Sequence, residues 1–586
     1  SIPLKKMITS FKKAYLLLTD DLKKKIKIIL FLLIIAMLLE ALSIGIIIPF
    51  LSYFFSNTES NIELSNFILK FGDIFSLDII TLLLVLIFAV FLAKNLFLIL
   101  NHYINSKFIE SVKFQTTNRR FRNYIKSDYK FFLDNNTSVL LRNITTEIGS
   151  LVEFISSSLI LFGEISVFIG ITTLLLIVDF QSTIIVALIA SIFGFLIIYL
   201  TKKKLLIMGK DRIFVDGQLN KFFLQGLAAA KDVKLLKVED SLIENTSNFL
   251  NKSVKINLFF RFLNGIIKYL FEILIITLFV FLVIFLYKLN FEYNYILKTC
   301  ALFGIASFRI LPSVSRISTS IQQIRFREKT INDLYSEFKN QNKDKYNQYK
   351  KNESSDNFNF FEKITVRSLN FRYNSKSDLV LKNLSFEIKK GDFITICGES
   401  GSGKTTLLNL LIGLLKSEYI FCDGKNISLI KNWQKNIGYV AQDTYLIDDT
   451  IRRNIAFGLK DDLIDNNKIK SCLEKSQLLN FTNSLPQNLE TIVGEKGISI
   501  SGGQKQRIGV ARALYHDPKI LVFDEATSSL DVDTETKLID SIKKFKGDKT
   551  ILFVTHRKSV INNCDKVLLL QNGEIKYFGK TKDFIK

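Results

Sequence analysis

The sequence predicts an α-helical membrane domain of six transmembrane helices followed by an α/β domain, and three observations carry that reading. Long apolar runs crowd into residues 1–339. Lysine and arginine gather at alternate ends of those runs. From residue 361 onward the pattern becomes buried strand, glycine-rich turn and helix, with residues 340–360 as a polar linker between the two parts. The domains are therefore expected at 1–339, 340–360 and 361–586.

The chain has 586 residues, 48% of them apolar, and a formal charge of +23. Such a charge suits nucleic acid, a membrane surface or an anionic ligand. Here much of it flanks apolar runs, which favours the membrane and argues against nucleic acid. The five cysteines form no CxxC pair and the three histidines lack zinc-like spacing, so reduced thiols are expected.

Spans are expected at 27–55, 78–106, 151–178, 181–204, 262–288 and 294–325, each near or above the roughly 20 residues a helix needs to cross. Eight lysines precede or open the first span, "NRRFRNYIK" follows the second and "TKKK" the fourth. The loops at the opposite ends, "NTESNIELSN" and "DFQS", are acidic or nearly neutral. Positive residues stay inside, so both termini are expected in the cytoplasm. "SDYKFFLDNN" (127–136) and "LAAAKDVKLL" (227–236) read as short amphipathic pieces at the inner ends of the spans. Residues 60–72 carry a capping box, Ser60 and Glu63, ahead of an apolar face and read as a short external helix.

"DFITICGESGSGKTTLLNLLIGLL" is a strand, a loop and a helix in which Gly398, Glu399, Ser400, Gly401, Ser402, Gly403, Lys404 and Thr405 fit GxxxxGKT, with Thr406 next. Backbone amides of such a loop wrap phosphates, Lys404 neutralises them, and Thr405 offers its hydroxyl to Mg2+. In "KILVFDEATSSLD" the run Ile520–Phe523 reads as a doubly buried parallel strand. Asp524 at its end can hold Mg2+, and Glu525 can orient or deprotonate a water. ATP and Mg2+ are the cofactors this implies.

"ISISGGQKQR" resembles the LSGGQ signature of ATP-binding-cassette (ABC) proteins, with Ile500 in place of leucine. The resemblance implies that Ser501, Gly502, Gly503 and Gln504 cap a helix facing ATP held on an opposite subunit. It implies further that Tyr373 stacks on adenine, Gln442 is the Q-loop residue and a Mg2+ ligand, and His556 in "VTHR" is the switch histidine. Glu495 would lie in the X-loop and Ser528–Asp531 in the D-loop. One membrane unit fused to one ATPase is a half-transporter, so a homodimer with two identical hydrolytic sites is expected. Intact Glu525, Gln442 and His556 disfavour an ATP-gated channel.

The sixth span holds the unusual charges. Arg309, Ser313, Arg316, Ser320, Gln323 and Arg327 fall on one helical stripe, with Pro312 beside Arg309. Glu40, Lys94, Glu164, Lys268 and Glu272 are further charges within spans. The acids and bases could simply pair. Alternatively Lys94, Lys268, Arg309 and Arg316 line a cavity for an anionic cargo, arginine being suited to phosphate. "LLEALSIGIIIPF", Glu164 and "FRILPSVSRI" are similar to the bacterial lipid-linked oligosaccharide flippase of protein N-glycosylation. That resemblance implies a bacterial inner-membrane protein that flips a polyprenyl-pyrophosphate-linked glycan. An exporter of other amphipathic lipids, drugs or peptides is the alternative.

Overall fold

The computed structural model describes residues 2–48, 50, 79–349, 362–374, 377–494, 500–527 and 530–585. The expected external helix at 60–72, Glu495 and Ser528 lie outside them. The chain divides into two compact units, Ser1–Ser127 with Phe132–Asp344, and Asp128–Phe131 with Lys345–Lys586.

The chain up to residue 349 is helical: α1 (Ile2–Leu17), α2 (Asp20–Gly45), α3 (Ile79–Ile125), α4 (Tyr129–Asp134), α5 (Thr137–Val178), α6 (Phe180–Ala228), α7 (Ala230–Leu236), α8 (Glu239–Lys288) and α9 (Tyr293–Tyr349) among the described residues. Among the described residues five helices, α2, α3, α5, α8 and α9, are long and apolar enough to cross a bilayer. The fourth expected span, 181–204, falls within α6, a 49-residue helix. One residue, Asp179, separates α5 from α6; its carboxylate takes the backbone N–H of Ser182 at 3.2 Å and starts the new helix.

Glycines let α2 and α5 approach closely. A Cβ on Gly163 would stand 3.1 Å from Leu33 Cδ2, and one on Gly170 3.0 Å from Met37 Cγ. This contact sets Glu40 and Glu164, both buried, toward the same part of the bundle. Helix α9 passes through Pro312 and continues to Tyr349, so the segment expected as a linker begins helical. Residues 340–349 contain no proline or glycine to break the helix.

The second unit carries ten strands among its described residues. β1 (Lys363–Phe371), β2 (Leu381–Lys389), β4 (Ile420–Cys422) and β5 (Lys425–Asn426) form an antiparallel sheet in the order β2-β1-β4-β5. The main sheet runs β10-β9-β3-β8-β7-β6, from β3 (Phe393–Gly398), β6 (Ile437–Val440), β7 (Ile520–Asp524), β8 (Thr550–Val554), β9 (Lys566–Gln571) and β10 (Glu574–Lys580). Every residue of β3, β7 and β8 is buried, and these strands pair in parallel. The expected strand Ile520–Phe523 is thus real, flanked by β6 and β8. Asp128 and its neighbours, from the first expected amphipathic piece, belong to this unit, where Lys416 Nζ donates to Asp128 Oδ2 at 2.7 Å.

Candidate nucleotide site and membrane cavity

Parallel sheets present ligands at the carboxyl ends of their strands. Here β3 ends in the glycine loop, β7 in Asp524 and Glu525, β8 in Thr555 and His556, and β6 leads to Gln442. Gly398 needs its freedom: its φ is +147°, and a Cβ would fall 2.2 Å from Leu570 O. Gly403 precedes the helix Lys404–Leu411 at φ +100°. Lys404, buried, donates from Nζ to Gly398 O at 2.6 Å and to Glu399 O at 2.8 Å, which holds the ammonium inside its own loop. Thr405 is exposed, whereas Thr406 is buried and shares a 3.0 Å hydrogen bond with the Tyr373 hydroxyl. Tyr373 is half-buried and meets Phe371 edge-on, so strand packing and a hydrogen bond both fix the ring.

Glu525 is the centre of the constellation. Its φ is +49°, a left-handed conformation that a non-glycine residue adopts only at a cost on the order of 1–3 kcal/mol, typical of functional turns. Its N–H donates to Val554 O at 2.9 Å, tying it to β8. Gln442 Nε2 donates to Glu525 Oε2 at 2.8 Å, and His556 Nε2 stands 3.9 Å from Oε1. Arg557 holds the histidine's segment by donating to buried Glu535 at 2.6 Å, on the helix Val532–Lys543 that Asp531 caps. The sequence motifs around Glu525 therefore converge. Burial raises the pKa of Asp524, and Tyr439, on β6, donates its hydroxyl to Oδ2 at 3.1 Å.

The helix Gly502–Tyr515 starts in a reciprocal capping box: Gln504 N–H donates to Ser501 Oγ at 3.2 Å, and Ser501 N–H to Gln504 Oε1 at 2.9 Å. Its first turn, with Ser501 and Gly502 exposed, is open at the surface of this chain. One face of the helix is zipped to the segment after β6. Lys505 reaches Asp443 at 2.7 Å, Gln506 reaches Gln442 O at 3.4 Å, and Gly509 lies so close that a Cβ would meet Thr444 Oγ1 at 2.6 Å. Arg512 donates to Tyr445 O and Asn454 O, both at 2.8 Å, and to Asn454 Oδ1 at 3.0 Å; burial lowers its pKa to about 10.

In the membrane unit Glu40 and Glu164 are paired, so the four cations do not form a bare ring. Arg309 Nε donates to Glu40 Oε2 at 2.9 Å and Nη1 to Ser313 at 3.1 Å. Ser313 and Arg316 donate to Glu164 at 2.7 and 2.6 Å, with Arg309 Nη1 3.5 Å from the same carboxylate. Lys94 stands 3.8 Å from Glu40 and 3.5 Å from Ser43 Oγ. Glu40 and Glu164 are buried, and a buried carboxylate without a cation or donor is costly. Lys268 is the exception to the expectation: it is exposed on α8, and no described ion pair or hydrogen bond joins it to the cluster. Glu40, Glu164, Arg309 and Arg316 line a cavity of about 890 Å³ together with Asn101, His102 and Asn105.

Sequence reasoning missed Tyr439, Asn454 and Arg512. Asn454 is fully buried and its side chain serves Ile447 N and O. Nothing in a lone asparagine or a strand tyrosine marks such roles; only the fold supplies the partners.

Residues 381–528 match the ABC transporter family. An ATP-dependent lipid A-core flippase of Haemophilus influenzae (strain 86-028NP) is 36% identical over 223 residues, 37% of this chain and 38% of that protein. A leukotoxin export ATP-binding protein of Aggregatibacter actinomycetemcomitans is 37% identical over 227 residues, 38% of this chain and 32% of its own. The chain thus aligns with about a third to two-fifths of the length of these curated relatives. A solved bacterial Atm1-family ABC exporter with ATP bound superposes with a TM-score of 0.77 at 19% identity over 97% of both chains. The fold is accordingly that of an ABC exporter, a helical apolar domain followed by an ATPase-type α/β domain.

Proposed function

We propose that the chain acts as a homodimeric, ATP-driven exporter of the bacterial cytoplasmic membrane, with both termini inside. Its cargo in this reading is a polyprenyl-pyrophosphate-linked oligosaccharide or related anionic glycolipid, moved from the inner to the outer leaflet. The observation that carries the cargo assignment is the cluster of Lys94, Arg309 and Arg316 against Glu40 and Glu164, with three cations facing two anions. Arg316 is the most accessible member, its side chain 56% exposed. A phosphate can take its guanidinium as a bidentate partner while Glu164 keeps Arg309 and Ser313.

At the nucleotide site the glycine loop with Lys404 binds the phosphates, Tyr373 packs on the base, and Glu525 acts as general base. Gln442 and His556 orient that carboxylate, which explains their convergence on it. The Thr405 hydroxyl, the Asp524 carboxylate and the Gln442 side-chain carbonyl are hard oxygen donors, the chemistry Mg2+ prefers. Mg2+ bound there would neutralise charge building on the transferred phosphate. The open signature turn of Ser501, Gly502, Gly503 and Gln504 gives a second copy of the chain a surface for completing the site. The similarity to a lipid A-core flippase favours a second reading, in which the cargo is another amphipathic lipid.

The test is reconstitution in liposomes with a fluorescent polyprenyl-pyrophosphate oligosaccharide, alongside Glu525→Gln and the pair Arg309→Ala/Arg316→Ala. Loss of flipping in both, with ATPase kept in the arginine pair, supports the assignment. Vigorous ATPase without flipping of this cargo would leave only the broader exporter reading.

A further inference from the structure

A second charged cavity, away from the Glu40–Glu164 cluster, has no role in the scheme above. It measures about 380 Å³ and is formed by the first turns of α5, one face of α6 and Lys329 of α9. On α6 the lining residues Lys210, Phe214, Gly217, Gln218 and Lys221 repeat at helical spacing and share one face. Its wall holds four cations, Arg142, Lys210, Lys221 and Lys329, and no carboxylate.

The nearby acids are already engaged or lie behind the wall. Glu147 sits 3.6 Å from both Arg142 and Arg212, Asp216 is 4.0 Å from Arg212, and Asp333 is 2.6 Å from Lys329. Among the described contacts Lys210 and Lys221 have no anionic partner. Arg142 is fixed from three sides: Nη1 donates to Ile213 O at 3.3 Å, Nη2 to Asn143 Oδ1 at 3.4 Å, and Nε faces Glu147 Oε1 at 3.6 Å. Gly217 makes the room, since a Cβ there would lie 2.6 Å from Arg142 Nη1. Glu147 balances Arg142 and Asp333 balances Lys329, which leaves Lys210 and Lys221 as like charges on one hollow that repel each other unless an anion joins them. The positive end of the α5 dipole, at Asn136 and Ser138, adds to the same field.

We propose that this cavity is a binding site for a phosphate-ester anion, held by Arg142 as the directional donor and by Lys210, Lys221 and Lys329 as charge. Arg142 lies nine residues before Leu151, so it stands roughly 14 Å along α5 from the start of the apolar run. Two sources share this chemistry, a soluble phosphorylated compound and the headgroup of an acidic lipid. A ligand here bridges α5, α6 and α9 beyond the apolar runs and restrains their relative motion.

The experiment uses the full chain without nucleotide in nanodiscs, carrying Lys404→Ala so that the glycine loop contributes no phosphate binding. In one arm, phosphatidylcholine nanodiscs are titrated with inorganic phosphate against chloride at constant ionic strength, and the unfolding midpoint is followed. In the other, nanodiscs contain phosphatidic acid and no free phosphate. Stabilisation in the first arm assigns a soluble ligand, and stabilisation confined to the second assigns a lipid headgroup. In whichever arm responds, Lys210→Gln/Lys221→Gln should weaken binding at least about tenfold, the loss of one good charge-assisted contact. Gly217→Ala, which keeps every charge but displaces Arg142, should also weaken it. The proposal is overturned if neither arm responds, or if the response survives the double lysine substitution unchanged.

Discussion

Glu164→Gln isolates what the buried charge network contributes, because it keeps the shape of the side chain and removes only its charge. The carboxylate serves three donors of unequal worth. Ser313, fully buried at 2.7 Å, falls from a charge-assisted to a neutral hydrogen bond, which costs about 1 kcal/mol. Arg309 keeps Glu40 at 2.9 Å when its 3.5 Å contact to Glu164 weakens, which limits that loss to about 1 kcal/mol. Arg316 has the shortest contact, 2.6 Å, yet its exposure makes the pair worth only about 0.2–1 kcal/mol. The variant should therefore lose about 2–3 kcal/mol, whereas Arg316→Gln loses under about 1 kcal/mol. SDS-induced unfolding followed by helical circular dichroism measures both, and the double variant gives their coupling. An Arg316→Gln loss equal to that of Glu164→Gln would refute the reasoning, since the exposed pair would then carry the network. So would a Glu164→Gln protein as stable as the parent.

Four further outcomes follow from the ATPase unit. Glu525→Gln should reduce steady-state phosphate release by about 10²–10⁴-fold while nucleotide still binds, the usual span for a lost general base. Asp524 has a pKa raised by burial above the ordinary 3.8, so its ionisation burdens the folded state increasingly as pH rises from 3.8 through the raised value. Asp524→Asn should hence raise the unfolding midpoint at neutral pH, lose that advantage below about pH 4, and abolish Mg2+-dependent hydrolysis; an unchanged midpoint at both pH values would contradict this. Arg512→Lys cannot reproduce a fork that reaches three acceptors at 2.8–3.0 Å and should destabilise the unit by about 2–4 kcal/mol in urea unfolding. Burial pushes the thiols of Cys397 and Cys422 up to about 11 and 12, so neither should react with iodoacetamide near pH 8 until the protein unfolds, a result read by mass spectrometry.

Legibility in the sequence followed the kind of physics involved. Fully buried strands such as Phe393–Gly398 and Ile520–Asp524 announce themselves by unbroken apolar runs, and the chemistry at their ends follows by adjacency. Gln442, Glu525 and His556 could be named from their motifs, and the fold brings them together. The charges of the bundle were legible as residues but not as pairs. Whether Glu40 meets Lys94 or Arg309 depends on how α2, α3 and α9 rotate against one another, which no local pattern encodes. Lys268 shares the residue type of the cluster and not its place. The linker was read from polarity that proved compatible with continued helix in α9.

The zipped face of the helix Gly502–Tyr515 has a consequence for how the ATPase unit can articulate. Four successive attachments, at 505, 506, 509 and 512, bind it to residues 442–454. No hinge can open between them without breaking these contacts, so they travel as one casting. Flexure must fall outside this block, and Gly458, at φ +81° with open space around its Cα, is a joint of that kind. Any shift of Gln442 away from Glu525 therefore carries the signature turn with it. Within the chain, loosening the Gln442–Glu525 contact and displacing the Ser501 cap are a single mechanical event.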